Sequence, residues 1–257
     1  MKDLSNNYYW YISKNYLYIQ CELLLENGFK HAFFTRKVGK MGPKELIKYI
    51  SDSSSLHSVN QIHGNKILDS EDCLSPSNPL GDGIVSSLNK SQSLWLYTAD
   101  CIPILIADKS SGRTAVCHAG WKGLCKRIVS ETIKKLESKG SKRKNLIITL
   151  GPSISGCNYE VKREVIVSIL STINCEINSE KIFSNEINRL VSILKNKNKN
   201  ESLLDIRLVA FKQLTEEGIQ EDCISISPFC TFKEDILFHS WRRDKVKNRQ
   251  WSAILSK

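Results

Sequence analysis

Residues 94–150 carry short apolar runs separated by turn chemistry, a pattern open to few folds. Residues 94–97 and 102–107 are rich in Leu and Ile and read as buried strands. Asp-Lys-Ser-Ser-Gly at 108–112 is a turn, and 113–117 (RTAVC) is the next strand. The glycine-containing turn HAGWKG (118–123) leads into a helix over 124–138. There Leu124 and Ile128, and Cys125, Val129, Ile133 and Leu136, recur at spacings of three and four. Gly140 ends the helix, and 146–150 (LIITL) is a strand that stops at Gly151-Pro152. Strands and helices mix without the regular alternation of a doubly wound sheet. The expected class is α+β, with mixed sheets and helices outside.

The flanks are less explicit. Residues 56–63 suggest a strand ending at His63, with Gly64 after it. Residues 185–202 read as a helix end running into a solvated loop. Residues 203–218 read as a helix closed by Gly218, followed by short strands at 224–226 and 236–238. An edge strand is expected within residues 1–25. With no visible linker, residues 1–257 are expected to form one domain.

At 257 residues the chain can bury roughly three quarters of its surface. Hydrophobic residues at 41% and charged residues at 25% argue against disorder and coiled coil. The most apolar stretch, 94–107, is interrupted by Asp100 and too short to span a bilayer. The N-terminus lacks an apolar signal core, so a cytoplasmic location is expected. Nine cysteines without a CxxC pair read as reduced thiols rather than a disulfide framework. The net charge of +10 comes from lysines spread along the chain, and no zinc finger, helix-turn-helix or RNA-binding aromatic motif accompanies it. Nucleic acid and membrane are not expected partners. A basic surface still steers phosphorylated substrates.

The turn at 108–112 brings two chemically useful residues together. If it closes a hairpin, paired residue numbers sum to 219 or 220. Cys101 then faces His118 or Ala119, and directly opposed Cβ atoms lie about 5 Å apart. Such a thiolate and imidazole can share a metal ion or form a nucleophile pair in which the imidazole takes the thiol proton. A third ligand from another segment, such as His63 before Gly64, would complete a Cys-His-His set with one open coordination position, as in catalytic zinc sites. Spacing alone does not recruit His63. Asp100, beside Cys101, is placed to orient a ligand or move a proton. His31, His57 and His239 read as structural.

Several segments occur together: HAFFTR (31–36), QIHG (61–64), GDGIVS (81–86), TADCIPI (98–104), CHAGWKG (117–123), GPSISGCNYEV (151–161), LDI (204–206), FHSWRRD (238–244) and NRQ (248–250). From about residue 31 onward the chain resembles the YfiH-type family, the laccase-domain or multicopper polyphenol oxidoreductase proteins. The resemblance implies two central sheets flanked by helices in a four-layer arrangement. It implies a metal site on His63, Cys101 and His118. It also implies phosphorolysis of adenosine, inosine and 5′-methylthioadenosine, with adenosine deamination as a second activity. Copper-dependent polyphenol oxidation and a role in checking peptidoglycan precursors are also attached to the family, and Cys101 with His118 leaves a Cys-His hydrolase acting on such a precursor as an alternative.

Composition helps choose among them. A blue-copper site with a trinuclear cluster needs roughly ten histidines. This chain has five, with Met1 and Met41 as the only thioethers. Zinc therefore suits the Cys-His-His set better than copper. The expected substrates are a purine nucleoside and inorganic phosphate, acting on a monomer. Expected substrate contacts are Arg36, Gln61, Asp82 and Arg249. Arginine makes bidentate, charge-assisted contacts with phosphate, and Arg242 and Arg243 are alternatives to Arg36. Main-chain amides near 120–123 are a further anion site. For deamination, Asp100, Asp82 and Glu160 are the carboxylates considered for proton transfer. Two segments depart from the family pattern. Asn248 stands where a glycine is usual, which questions the local turn, and KVGKMG (37–42) replaces the usual Gly-Gly-Val-Ser.

Overall fold

A computed structural model describes residues 8–13, 16–51, 54–74, 78–87, 91–173, 191–193 and 201–257. Two six-stranded mixed sheets form its centre. The first has the order Tyr8–Ser13, Tyr16–Cys21, His31–Phe34, Gln250–Leu255, Gln92–Thr98, Ser55–Ser58. The second has the order Ile224–Ile226, Leu146–Leu150, Ile102–Asp108, Thr114–Ala119, Gly83–Val85, Ile67–Asp69. A small sheet joins Glu160–Lys162, Glu201–Leu204 and Val191–Ile193.

Strand alternation sorts the core into layers. Ile102, Ile104 and Ile106 point to one side of the second sheet, with Ala115, Cys117 and Ala119 of the neighbouring strand. Helices Trp121–Cys125, Ile128–Ser138, Arg163–Leu170 and Ile206–Glu216 cover that side. Leu105, Ala107 and Val116 point the other way and meet Leu94, Leu96, Phe33 and Ile254 of the first sheet. Trp95 leaves the first sheet on its outer face and stacks on Phe34 with ring centroids 5.9 Å apart. Val38, Leu46 and Ile50 of the short helical segment after Phe34 close that face. Helices, sheet, sheet and helical segment make four layers, as expected of the α+β class.

Several local expectations need correction. The helix expected over 124–138 is broken, because Arg127 adopts a left-handed φ of 54° between Trp121–Cys125 and Ile128–Ser138. The strand expected over 56–63 ends at Ser58, and the chain turns before His63. The helix expected from 203 starts at Ile206, where the Asp205 side chain caps the Arg207 amide, and a strand precedes it. Residues 236–238 form a turn instead of a strand: the amides of Leu237 and Phe238 both bond the Glu234 carbonyl. Within 185–202, residues 185–190 and 194–200 lie outside the described residues, whereas Val191–Ile193 and the chain from Glu201 are strands. Residues 8–13 do form an edge strand, while 1–7 lie outside the described residues. Asn248 adopts no positive φ; Lys245, at 56°, makes that turn.

His31 is structural and sets a pH limit on stability. It is fully buried, its Nε2 accepts from the Cys21 amide (2.7 Å), and its Nδ1 lies 2.9 Å from the Phe29 carbonyl. Burial lowers its pKa from 6.5 to about 4, against the opposing Phe29 carbonyl. A folded pKa below the unfolded one means the unfolded chain binds the proton first. Stability is therefore complete above pH 6.5 and lost as pH falls toward 4. The expected loss is about 3 kcal/mol, measured as urea midpoints across that window. A His31→Gln variant is expected to flatten this part of the pH profile. An unchanged profile would remove His31 as its cause.

Candidate metal centre

The hairpin forms, but with a different register. Asp108 pairs with Arg113 through a 2.8 Å backbone bond, so numbers sum to 221, with Ile102 opposite Ala119 and Pro103 opposite His118. The reason lies in the turn. The Asp108 carboxylate accepts from the Ser110 and Ser111 amides and the Ser111 hydroxyl, and Gly112 takes φ 77°. Asp108 thus ends the strand and caps the loop at once. Cys101 consequently falls opposite Gly120, one step beyond the ladder. Cys101 and Pro103 are two residues apart, so Cys101 meets His118 as a diagonal neighbour.

His118 shares the strand face of Val116, which packs between the sheets. The ligand atoms of His63, Cys101 and His118 lie within 4.8 Å of one another. The two imidazoles meet edge-on, with centroids 4.8 Å apart. His118 is buried, Cys101 is partly buried and His63 is exposed, so the group opens to solvent on the His63 side. Among the described residues this is the one group of three such donors.

Asp82 organises this group. Its carboxylate is buried and lies 2.9 Å from His118 Nδ1. The same carboxylate accepts from the amides of Ile62 (3.3 Å), His63 (2.9 Å) and Gly64 (2.6 Å). Its carbonyl accepts from the His118 amide at 2.7 Å. One residue therefore fixes the His118 ring and folds the turn that presents His63, whose φ is 58°. Burial pushes the Asp82 carboxyl up, but bonds from His118, Gly64 and His63 hold it below its ordinary value. With Nδ1 turned to Asp82, the Nε2 of His118 is left to face a metal, the arrangement usual for ligating histidines. Burial disfavours a charged Cys101, yet His118 and His63 pull its thiol down, and Cys101 with Asp82 lifts His118. The environment favours a thiolate, the form that binds metal. Sulfur, two imidazoles and a carboxylate behind one of them fit zinc.

The other expected residues take different places. Gln61 bonds both backbone groups of Tyr97, giving its Nε2 to the carbonyl (2.8 Å) and accepting the amide (2.9 Å). It acts as a substitute strand that carries the 61–64 turn. Asp82 has no side-chain surface with which to meet substrate. Asp100, at φ 88°, accepts from Thr231 Oγ1 (2.7 Å), Ser240 Oγ (3.0 Å) and the Arg242 amide (2.6 Å). These bonds fasten the C-terminal segment beside Cys101. Arg36 donates to the Asp235 carbonyl, and Arg249 stacks 4.8 Å over the Tyr97 ring. Arg243 ties down the carbonyls of Thr231, Phe232 and Phe238. A cleft of about 290 Å³, lined by Asn60, Asn78, Tyr97 and Trp251 among others, lies beside the Gln61 anchor and includes none of the three ligands.

Two further side chains lie beside the group: Tyr159, legible only as a motif letter, and Arg242, an alternative anion ligand in the sequence. Tyr159 lies within electrostatic reach of Cys101, and burial pushes its phenol well above the ordinary range. The Arg242 guanidinium covers the Tyr159 ring at 4.9 Å and donates to the Glu160 carbonyl at 2.6 Å.

Gly120 is required for space rather than for its backbone angle, since its φ is −87°. A Cβ there would stand 2.7 Å from Cys101 Sγ. Gly120→Ala is expected to push the Cys101 sulfur out of line with the imidazoles and weaken metal binding roughly tenfold or more. Chelator competition measures this, with the thermal midpoint as a folding control. Unchanged affinity would show that Cys101 does not need its present position.

A helix-and-sheet fold with, among the described residues, one Cys-His-His group able to hold a metal ion is the class these observations define. Residues 44–257 match the family model described as "Multi-copper polyphenol oxidoreductase laccase", and the chain belongs to that laccase-domain family. A purine nucleoside phosphorylase of Synechocystis sp. is 34% identical over 249 residues, covering 93% of each chain. The purine nucleoside phosphorylase YlmD of Bacillus subtilis is 34% identical over 176 residues, 68% of this chain and 58% of that one. The crystal structure of YlmD from Geobacillus stearothermophilus superposes with a TM-score of 0.80 at 20% identity, covering 96% of this chain and 98% of that one. Bacillus licheniformis YfiH gives 0.76 at 21% identity over the same shares. The two structures establish the fold.

Proposed function

We propose that the chain is a purine nucleoside phosphorylase that uses a zinc ion held by His63, Cys101 and His118. The observation that carries this reading is the three-ligand group oriented by Asp82, in a chain whose relatives are named purine nucleoside phosphorylases. Zinc in that position supplies Lewis acidity at the open side of the group. The other histidines favour zinc over a multicopper set: His31 and His57 are buried in bonds to backbone carbonyls, which leaves too few imidazoles for three further coppers.

The chain's own groups would divide the remaining work. Cys101 and His118 hold the reacting region at the end of the inter-sheet layer. Arg242, braced by Tyr159 and the Glu160 carbonyl, is our assignment for the phosphate. Arg242→Gln is expected to raise the KM for phosphate roughly tenfold while leaving zinc content unchanged. A phosphate KM within twofold of wild type would move the anion site to Arg36 or Arg249. Adenosine deamination is a second activity of the same centre in this reading. Of the carboxylates considered, Glu160 is exposed and its carbonyl holds Arg242, and it is the one assigned to proton transfer.

The deciding experiment is chromatographic. Zinc-loaded protein is incubated with adenosine, with and without inorganic phosphate, and adenine, inosine and hypoxanthine are separated. Phosphate-dependent adenine is the expected product, and phosphate-independent inosine reports deamination. No turnover of adenosine, inosine or 5′-methylthioadenosine by protein of verified zinc content would refute the proposal. The thiolate bias of Cys101 supports one other reading, a Cys-His hydrolase. Its signature would be activity in metal-free protein that is lost on alkylation of Cys101.

A further inference from the structure

A second pair of thiols lies away from the three ligands. Cys230 is buried, and its sulfur accepts from the Ser155 amide (3.3 Å), the Ser155 hydroxyl (3.0 Å) and the Asn158 amide group (3.4 Å). Cys157 is exposed on the short turn Gly156–Asn158, and its sulfur is 3.2 Å from the same Ser155 hydroxyl and 3.3 Å from the same Asn158 nitrogen. Two sulfurs that share both hydrogen-bond partners are close neighbours.

Their surroundings differ in a useful way. Burial raises the Cys230 thiol, but bonds from Ser155 and the amides of Lys233 and Phe232 more than offset it, so the net shift is downward. The Arg207 guanidinium, bonded to Asp205, acts on both sulfurs electrostatically. Cys230 is thus a sheltered sulfur whose surroundings favour its charged form, and Cys157 is exposed to solvent. The two segments are pinned to each other: Ser153 and Cys230 form an isolated bridge, and the Thr231 amide bonds the Ser153 carbonyl at 3.1 Å. Cys157, at the surface, is the partner free to rotate into disulfide geometry, which requires Cβ atoms about 3.8 Å apart.

We propose that Cys157 and Cys230 form a reversible disulfide in response to hydroperoxides, making this a redox modification site distinct from the metal centre. The Cys157 sulfur takes one oxygen from the peroxide, whose O–O bond breaks. The products are a sulfenic acid and the corresponding alcohol, or water from hydrogen peroxide. The Cys230 thiolate then attacks the sulfenic sulfur. An S–S bond forms, the S–O bond breaks, and hydroxide leaves to be protonated by solvent. The pair loses two electrons and the peroxide gains them. A dithiol reductant reverses the step.

The bond would join two segments that frame the metal centre. Cys230 precedes Thr231, which bonds Asp100 beside Cys101, and Cys157 lies two residues before Tyr159. The test uses full-length, zinc-loaded protein exposed to equimolar hydrogen peroxide, then alkylated under denaturing conditions and mapped by peptide mass spectrometry. The expected result is a Cys157–Cys230 cross-linked peptide, a mass loss of two hydrogens, and full reversal by dithiothreitol. Cys157→Ser is expected to show no mass loss and to consume peroxide roughly tenfold more slowly. Cys230→Ser is expected to leave Cys157 as a sulfenic acid that dimedone traps. If Cys230→Ser does not fold, the wild-type cross-link and Cys157→Ser decide the matter without it. Both thiols remaining alkylatable after peroxide, or Cys157 cross-linked to another cysteine, would overturn the proposal.

Discussion

Cys101→Ala is expected to lose stoichiometric zinc and phosphorolysis together. Cys101 supplies the one sulfur in the group, and the two imidazoles left behind differ sharply in exposure. Structural zinc sites bind with about 10–16 kcal/mol, so deleting one strong ligand removes about 3 kcal/mol, roughly a hundredfold in affinity. Cys101 is also the largest of the influences that raise His118, so its removal eases deprotonation of that imidazole and offsets a small part of the loss. Metal analysis after gel filtration gives the zinc content, and adenosine turnover gives the activity. The fold is expected to survive, because Cys101 lies beyond the last ladder pair and contributes to none of the three apolar cores. A folded Cys101→Ala protein that keeps full zinc would place the metal elsewhere. One that stays fully active without metal would refute the zinc mechanism.

The sequence carries the fold where structure is local. Residues 94–150 yield four strands, a helical stretch and the hairpin turn because apolar periodicity and turn residues act over a few positions. The register slipped because Asp108 reads as turn chemistry while also ending the strand. The break at Arg127 is invisible to periodicity, because the apolar spacing continues through a residue whose φ is 54°. The strand Gln250–Leu255 sits between two neighbours in the first sheet, yet nothing in its short run assigns it a partner; its ladders reach back to His31–Phe34 and Gln92–Thr98.

The same distinction separates ligands from their supports. Cys101 and His118 are close in sequence and joined by one hairpin, so their proximity was legible. His63 was legible only through the family resemblance. Asp100 and Asp82 were recognised as polar residues in motifs, but their partners are distant in sequence. Those of Asp100 lie 131, 140 and 142 residues away. Those of Asp82 lie 18 to 36 residues away, on two segments that only the folded sheets bring together. Gln61 shows the same limit: a motif glutamine next to a ligand reads as a substrate contact, but its amide completes the hydrogen bonding of Tyr97.

The role of Asp82 predicts the second large effect. Asp82→Asn keeps the size of the side chain and removes its charge. The carboxylate now receives four N–H groups, from His118 Nδ1 and the amides of Ile62, His63 and Gly64. An asparagine offers one acceptor oxygen and turns its own NH₂ toward the remaining donors. Whichever way it rotates, either the His118 ring or the 62–64 turn loses its acceptor. Leaving buried donors unpaired costs about 1–3 kcal/mol each, and loss of a carboxylate behind a ligating histidine lowers metal affinity about 10–100-fold. The expected result is therefore a double loss, in denaturant midpoint and in zinc affinity, although no ligand has been changed. Asp82→Glu separates the two contributions. It restores the charge with one extra methylene in a fully buried position, so zinc affinity is expected to recover further than stability. If Asp82→Asn binds zinc as tightly as wild type, His118 is oriented by its strand alone, and the carboxylate serves only to fold the turn.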